Sequence, residues 1–300
     1  MAGNLIQILE TIGVDEMTIP NIGTYFPDPI DTRYFGMDIS SNQGFVDFDK
    51  VKQHEYFPEP KFMVARTGIS WAYVDSWFDT YWKFFKEKLN VVRLAYHVMY
   101  PLEDKKAQVD NMKKHFPGGV FDGDAVVNDV ELVHGATRSQ MSQATYEMNN
   151  RLQDWAKKPV FTYSRFGFIY EYFDLTNTFY FDWYKKQLWW MAQYYGKDLL
   201  GKPILKEFPT SKLWYPKEYM KEWKVYFHQT GEKGDGKRIG MTSNQVDTDR
   251  WCRSVAEFNN LFNVSEIIPE PEPIPGEPID ISAELHAIEK AVFDIRAKME

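Results

Sequence analysis

The stretch AVVNDVELVHG (residues 125–135) places two acids, Asp129 and Glu131, inside a run of valine, alanine and leucine. Such short runs of β-branched and apolar residues are typical of buried parallel strands. Because side chains alternate between the two faces of a strand, Asp129 and Glu131 are predicted to point the same way. Neighbouring carboxyl groups shift each other's pKa, so the pair suits acid–base chemistry at a glycosidic bond; two solvated acids on an edge strand are the alternative.

Strand-like and helix-like segments alternate on both sides of this stretch, from about residue 33 onward. Their order predicts parallel strands with crossover helices, and about eight strands over some 230 residues favour a barrel over an open sheet. The last strand-like segments follow each other with little helix between them. We therefore predict an α/β fold, an irregular TIM-like (β/α) barrel with an N-terminal arm, a C-terminal proline-rich linker and a short helix.

Several acids lie at or near the ends of predicted strands. Asp38 ends one strand segment, Asp129 and Glu131 end another, and Asp247 lies near the last. Sites in parallel barrels are built at the carboxyl ends of the strands, so these acids are predicted to converge on one cleft. Asp38 could instead cap a strand end, and Asp247 could be a turn residue or a helix N-cap, with Asp249 as its rival.

Composition narrows the classes of function. The 300 residues carry a formal net charge of −8, which argues against a nucleic-acid partner. Aromatic residues make up 17% of the chain, which fits either a carbohydrate cleft or a heavily aromatic core. The single cysteine, Cys252, excludes an intramolecular disulfide framework and gives no indication of a zinc site.

The N-terminal sequence MAGNLIQILETIGVDEM has no basic segment and carries Glu10 within its apolar stretch, which is not typical of a secretory signal. No run of about 18 apolar residues occurs, so no membrane span is expected. We expect synthesis in the cytoplasm without a signal peptide, and any export by another route.

Four regions are predicted along the chain: an N-terminal arm (1–32), the barrel (33–265), a Pro/Glu-rich linker (266–280) and an amphipathic helix (281–300). Apolar residues of the last region are spaced alternately four and three residues apart, the pattern of a heptad seam. A helix this short is marginal alone, so we expect it to form a homo-oligomer or to dock on a partner. Folding back onto its own domain is the alternative.

Short motifs in a fixed order carry a resemblance to a known family. They are GMDISSNQG (36–44), GISWAYVD (68–75), LAYHVMYP (94–101), NDVE (128–131), VFTYS (160–164), WMAQY (190–194), HQT (228–230) and VDTD (246–249). In these motifs the chain resembles the glycoside hydrolase family 25 lysozymes, the Chalaropsis-type N-acetylmuramidases. The resemblance covers about residues 33–262 and implies that this part is a catalytic barrel.

The resemblance implies hydrolysis, without a metal or other cofactor, of the β-1,4 bond between N-acetylmuramic acid and N-acetylglucosamine in peptidoglycan. Glu131 would be the general acid and then the base, with retention of configuration. Asp129 would stabilise positive charge or orient the N-acetyl group of the substrate as an internal nucleophile. Asp38 and Asp247 would set the field of the cleft and hold the substrate.

Four further residues are candidates for the substrate-binding wall of the cleft: Tyr96, Tyr163, Trp190 and Gln229. Their rings could stack on sugar faces and their phenols could form hydrogen bonds, although aromatic residues near strand ends usually belong to the core. Strand alternation also predicts that Trp189 and Trp190 cannot both face the cleft.

The expected site of action is the bacterial cell wall. The missing signal, the arm and the heptad-patterned helix favour a phage protein, either an endolysin or a lysozyme carried in the virion as part of the phage particle. The alternative is a catalytically weak or inactive structural or glycan-binding virion component that keeps the same barrel.

Overall fold

The computed structural model of the chain describes residues 35–55, 57–194 and 218–264. The predicted arm (1–32), linker (266–280) and heptad-patterned helix (281–300) lie outside the described residues, so those predictions stay predictions. None of the helices in the described ranges is long and apolar enough to cross a membrane.

Within these ranges, eight strands close into one barrel and a ninth, two-residue strand pairs at its rim. The strands are β1 (Phe35–Ile39), β2 (Phe62–Ile69), β3 (Tyr73–Val74), β4 (Val92–Val98), β5 (Asp124–Asp129), β6 (Val160–Ser164), β7 (Leu188–Ala192), β8 (Val225–Asp235) and β9 (Gln245–Trp251). Their order around the barrel is β1, β9, β8, β7, β6, β5, β4 and β2, and pairing of β1 with β2 closes it. The predicted α/β barrel is confirmed.

The irregularity of the barrel lies in β9, which runs antiparallel to both of its neighbours, β8 and β1. All other neighbouring pairs of the closed barrel are parallel. The expectation that Asp247 lies near the carboxyl end of the last strand is therefore wrong. Asp247 is the third residue of β9. Because β9 runs in the opposite direction, its beginning lies beside the carboxyl ends of the other strands.

The barrel interior is filled by alternate residues of each strand, as the period of two requires. Along β2, Phe62 and Val64 pack in the interior cluster, whereas Met63 and Ala65 pack in the larger cluster between barrel and helices. The same alternation continues into Arg66, the next interior position of β2.

Aromatic rings fill the amino end of the interior. The ring of Phe227 lies 4.8 Å from that of Phe62, 5.1 Å from that of Phe161 and 5.0 Å from that of Trp251, measured between centroids. Phe262, from the helix that follows β9, also packs on this group. The amino end is thus closed by a solid aromatic layer, which leaves the carboxyl end for a site.

Seven α-helices are found in the described ranges: α1 (Phe48–Gln53), α2 (Phe78–Phe84), α3 (Lys105–Lys113), α4 (Arg138–Ala156), α5 (Phe166–Tyr172), α6 (Thr178–Tyr184) and α7 (Val255–Phe262). A π-helical turn, Phe85–Leu89, continues α2. Five helices begin after a residue whose side chain accepts a hydrogen bond from the first turn, which stabilises that end. These residues are Asp47, Asp104, Thr137, Asn177 and Ser254.

Strand β5 ends at Asp129, earlier than the segment AVVNDVELVHG predicts. The alternation nevertheless continues for two more residues. Val130 is fully buried in the cluster under the helices, and its amide donates a 2.9 Å hydrogen bond to the carbonyl of Tyr163. Asp129 and Glu131, on either side of Val130, are thereby directed to the opposite side, toward the carboxyl end of the barrel.

Candidate active site

The four acids predicted from the sequence meet at the carboxyl end of the barrel. Asp38 of β1 and Asp247 of β9 are register partners, so their Cα atoms face each other across one strand pair. Burial raises the pKa of Asp38, Asp129 and Asp247, and the nearby charge of Glu131 raises each of them further. The four carboxyl groups therefore act on one another electrostatically within a single site.

Gln229 of β8 is the hydrogen-bonding centre of this site. Its Nε2 donates to Asp38 Oδ2 at 2.6 Å and reaches Asp247 Oδ2 at 3.5 Å. Its Oε1 accepts hydrogen bonds from the hydroxyls of Tyr163, at 2.8 Å, and Tyr194, at 2.7 Å. Because both phenols donate to the carbonyl oxygen, the amide nitrogen is turned toward the acids and holds Asp38 in place.

A fifth acid, Asp249, lies beneath the others and is fully buried. Its Oδ1 accepts a 2.9 Å hydrogen bond from Trp190 Nε1, while its Oδ2 accepts none from the described part of the chain. Burial raises the pKa of Asp249 well above its usual value, and the charges of Asp38 and Asp247 raise it further. The ionised form of Asp249 is thus disfavoured, and a hydrogen bond with Asp38 raises the pKa of Asp249 and lowers that of Asp38.

Asp129 and Glu131 differ in their surroundings. Asp129 is 4% exposed, and burial followed by the charges of Glu131 and Asp38 raises its pKa well above the usual value. Glu131 is only half-buried; burial raises its pKa, and the charge of Arg165 opposes that rise. Glu131 therefore combines access to the cleft with a carboxyl group whose ionised form is disfavoured by burial.

Asp38 has an intermediate proton affinity. Burial raises its pKa to about 6, against the lowering effect of the hydrogen bonds from Gln229 and Asp249. A cluster of acids with different pKa values cannot ionise all at once, since like charges at close range disfavour each other. The carboxyl groups of the site therefore differ in proton affinity, which is what acid–base chemistry needs.

The buried acid Asp249 makes the stability of the fold depend on pH. The pKa of Asp249 is higher in the folded state than its value of about 4 in the unfolded chain. Its contribution to the free energy of unfolding is therefore complete below about pH 4 and is lost as the pH rises. Asp249→Asn keeps the acceptor for Trp190 and donates permanently to Asp38. We expect this variant to be more stable than the parent at pH 7 by roughly 1–3 kcal/mol, measured by urea unfolding.

The gain should shrink toward about pH 3, where the parent carboxyl group is protonated in the unfolded as well as the folded state. Asp154→Asn is the matched control, because the Asp154 side chain is 84% exposed and should show no comparable gain at pH 7. A gain that is the same at both pH values would contradict the raised pKa of Asp249.

Arg66 is a site residue that the sequence analysis missed. Its Nε donates to Asp75 Oδ2 at 2.9 Å, and its guanidinium also donates to Ser41 Oγ at 3.0 Å. Its positive charge lowers the pKa of Asp38 and Asp129 against the larger, raising effect of burial. The signal for Arg66 was the alternation along β2, because it is the next inward residue after Phe62 and Val64.

The residues predicted for the cleft wall lie deeper than expected. Trp190 is 2% exposed and Tyr163 is 7% exposed, and their rings pack edge to face with centroids 4.8 Å apart. Tyr96 lies near the acids, since burial and then the charge of Asp38 raise the pKa of its phenol. Trp189 faces the helices, so only one of the two adjacent tryptophans points to the interior, as predicted. Trp190 and Tyr163 therefore form the floor that supports the acids.

Exposed aromatic rings stand at the rim instead. Trp71 and Tyr73, in and beside the turn between β2 and β3, are 55% and 43% exposed. The Tyr73 hydroxyl is 3.0 Å from Ser41 Oγ, the same hydroxyl that Arg66 contacts. Exposed rings next to a polar cleft can stack on sugar faces, so this rim is a candidate contact surface for a glycan.

A closed α/β barrel with acids of raised pKa at the carboxyl ends of its strands carries the groups that acid–base chemistry needs. Over the described ranges, no three or more His, Cys, Asp or Glu side chains are arranged to hold a metal ion. The chain belongs to the glycosyl hydrolases family 25, whose sequence profile matches residues 37–234, and it is accordingly a glycoside hydrolase. The matched span contains Asp38, Asp129 and Glu131 and ends before β9, so Asp247 joins the site through its register with Asp38.

Solved structures share this fold. A lysozyme from Streptomyces coelicolor is 21% identical with a TM-score of 0.57, over 77% of this chain and 97% of that one. A family 25 glycosyl hydrolase from Bacillus anthracis is 18% identical with a TM-score of 0.57, over 79% and 95%. The catalytic domain of an endolysin from a bacteriophage of Listeria monocytogenes is 18% identical with a TM-score of 0.54, over 76% and 97%. A comparison with curated proteins finds no match.

Proposed function

We propose that the chain is a muramidase that hydrolyses the β-1,4 bond between N-acetylmuramic acid and N-acetylglucosamine in peptidoglycan. The observation that carries this proposal is the half-buried Glu131, with its raised pKa, beside the buried Asp129 and Asp38. Membership of the glycosyl hydrolases family 25 and the likeness to lysozymes support the choice of peptidoglycan as substrate.

In the proposed mechanism, Glu131 protonates the oxygen of the leaving sugar as the glycosidic bond breaks. Positive charge then develops at the sugar ring, and negative charge on Asp129 stabilises it or Asp129 orients the N-acetyl group of the substrate for attack. Ionised Glu131 next removes a proton from water while the water oxygen bonds to the anomeric carbon from the face that the leaving sugar vacated, which gives retention of configuration. Where the N-acetyl oxygen had bonded to that carbon, this bond breaks in the same step. The half-buried position of Glu131 supports this double role, because the group must meet both sugar and water.

Asp38, Asp247 and Gln229 serve as positioning and substrate-binding groups in this proposal. The amide of Gln229 is fixed by two phenols, so it presents Asp38 and Asp247 toward the cleft in a defined geometry. Groups that are held in place before the substrate binds lose little entropy during reaction, which lowers the barrier.

The test of the proposed function is mass spectrometry of purified peptidoglycan after digestion with the protein. The expected products are muropeptides that end in reducing N-acetylmuramic acid. Products that end in reducing N-acetylglucosamine, or cleavage within the peptides, would show that another bond is cut. Absence of any product on several wall types would overturn the proposal in favour of a non-catalytic role.

We further propose that the protein is a phage lysozyme that acts on the bacterial cell wall, either as an endolysin or as part of the virion. The likeness to the catalytic domain of a phage endolysin supports the first of these settings. The heptad pattern of residues 281–300 supports the second, because a self-associating segment suits assembly into a particle.

Deletion of residues 281–300 is expected to lower the oligomeric state of the protein in light scattering. Hydrolysis of soluble glycan fragments should be unchanged, because the deleted segment is separate in sequence from the matched residues 37–234. A variant that lacks residues 1–32 is measured in parallel, so that the effect of removing the C-terminal segment is compared with the effect of removing the N-terminal one. An unchanged mass per particle after removal of 281–300 would contradict self-association through this segment.

A further inference from the structure

A pocket of about 460 Å³ lies at the carboxyl ends of β6 and β7. One side is formed by the start of α5, with Arg165, Gly167 and Phe168, and the other by Ala192, the last residue of β7, and Gln193. A Cβ atom placed on Gly167 would meet no other atom within 4 Å, so this side of the pocket faces open space. The pocket meets the surroundings of Gln229 at Gln193, whose amide donates a 3.1 Å hydrogen bond to the carbonyl of Gln229.

The pocket carries one charge of each sign. Arg165 and Glu171 both line it, and both side chains are exposed. In the described part of the chain, the guanidinium of Arg165 has no hydrogen-bond or ion-pair partner. The aromatic ring of Tyr172 also lines the pocket. Such a combination suits a ligand that has acidic and basic groups and small apolar side chains, as a short peptide has.

The pocket adjoins the general acid through the pairing of β5 with β6. The amide of Val130 donates to the carbonyl of Tyr163 at 2.9 Å, and Ser164 Oγ donates to the carbonyl of Val130 at 2.7 Å. Arg165 follows Ser164 directly, as Glu131 follows Val130. The charge of Arg165 lowers the pKa of Glu131 against the larger effect of burial, so the two side chains interact electrostatically.

We propose that this pocket binds the peptide carried on the lactyl group of the muramic acid whose glycosidic bond is cleaved. The inference rests on the proposed muramidase function and adds a second recognition element to it. A sugar bound at Glu131 projects its lactyl substituent away from the ring, and the pocket is the adjoining space that can receive it. Arg165 binds a carboxylate of the peptide, and Glu171 binds an amino group or backbone amides.

Two substrates with the same glycan test this proposal. One is soluble peptidoglycan strands that keep their peptides, and the other is the same strands after an amidase has removed them. The measured quantity is the ratio of kcat/KM for the two substrates. Arg165 also affects the pKa of Glu131. A variant that changes only the catalytic step changes kcat/KM for both substrates by the same factor, so the ratio of the two values stays constant.

We expect the parent protein to prefer the peptide-bearing strands and Arg165→Ala to reduce this preference about five-fold, as befits one exposed charged contact. Gly167→Phe, which fills the pocket and leaves both charges, should reduce it as well. Arg165→Lys should restore part of the preference. Arg151→Ala, which removes an arginine from the surface of α4, is the matched control and should leave the ratio unchanged.

Equal ratios for the parent, Arg165→Ala and Gly167→Phe would overturn the peptide pocket while hydrolysis itself persists. A pocket that binds the bare glycan instead would show as a fall in kcat/KM on both substrates with a constant ratio. Failure of the parent to cleave either substrate is a different result, and it would overturn the proposed muramidase function.

Discussion

Glu131→Gln should lower kcat/KM for peptidoglycan hydrolysis by about 10²–10⁴-fold, the usual contribution of a positioned general acid. Glutamine has nearly the same shape as glutamic acid, but it cannot give a proton to the leaving oxygen. Burial raises the pKa of Glu131, so the substitution also removes a group whose ionised form is disfavoured in the folded protein. The fold should therefore be retained, with a thermal unfolding midpoint at or above that of the parent.

The measurement is the release of reducing ends from purified cell walls, together with thermal unfolding of the same samples. Glu147→Gln is the matched control, because Glu147 lies on the exposed face of α4 in an ion pair with Arg151. This control should keep the activity of the parent. If Glu131→Gln retained more than about a tenth of the parent rate, a different residue would have to be the acid.

Phe227→Ala should lower the free energy of unfolding by about 3–5 kcal/mol, the usual range for removal of a buried phenylalanine ring. Phe227 is 1% exposed and packs against Phe62, Phe161 and Trp251 at centroid distances near 5 Å. These neighbours lie on strands of a closed barrel, which cannot move together to fill the cavity. Urea unfolding followed by tryptophan fluorescence measures the loss.

Two further variants distinguish the loss of tight packing at Phe227 from the loss of an apolar side chain at any position. Phe121→Ala removes a ring that is 59% exposed and should change the free energy of unfolding by less than about 0.5 kcal/mol. Phe227→Leu keeps most of the buried volume and should cost clearly less than the alanine variant. Equal losses for Phe227→Ala and Phe121→Ala would contradict the aromatic layer as the main interior contact.

Local patterns were sufficient to predict the barrel and the region of the site. Alternation of strand-like and helix-like segments predicts the parallel order of β1, β2 and β4 to β8, because each crossover is encoded within about 30 residues. The alternation in AVVNDVELV gives the inward direction of Asp129 and Glu131, which persists although the hydrogen-bonded strand ends at Asp129.

Features that depend on distant pairing could not be predicted in this way. The direction of β9 follows from a hairpin with β8 and from its pairing with β1, and neither is visible in the segment itself. The burial of Trp190 depends on Asp249 and Tyr163, which lie on other strands. Arg66 could be predicted in part. The alternation along β2 indicates that its side chain points inward like that of Val64, but its partner Asp75 becomes apparent only in the folded chain.

The hydrogen bond between Gln229 and Asp38 has a consequence for biosynthesis, because it joins residues 191 positions apart. Forming such a distant contact is slow, since a long loop must close before any interaction stabilises it. A nascent chain exposes Glu131 well before β8 and β9 have been translated to complete its surroundings. The site should therefore become active only when the ring of strands closes into the barrel. A chain that ends before β8 should not hydrolyse the cell wall.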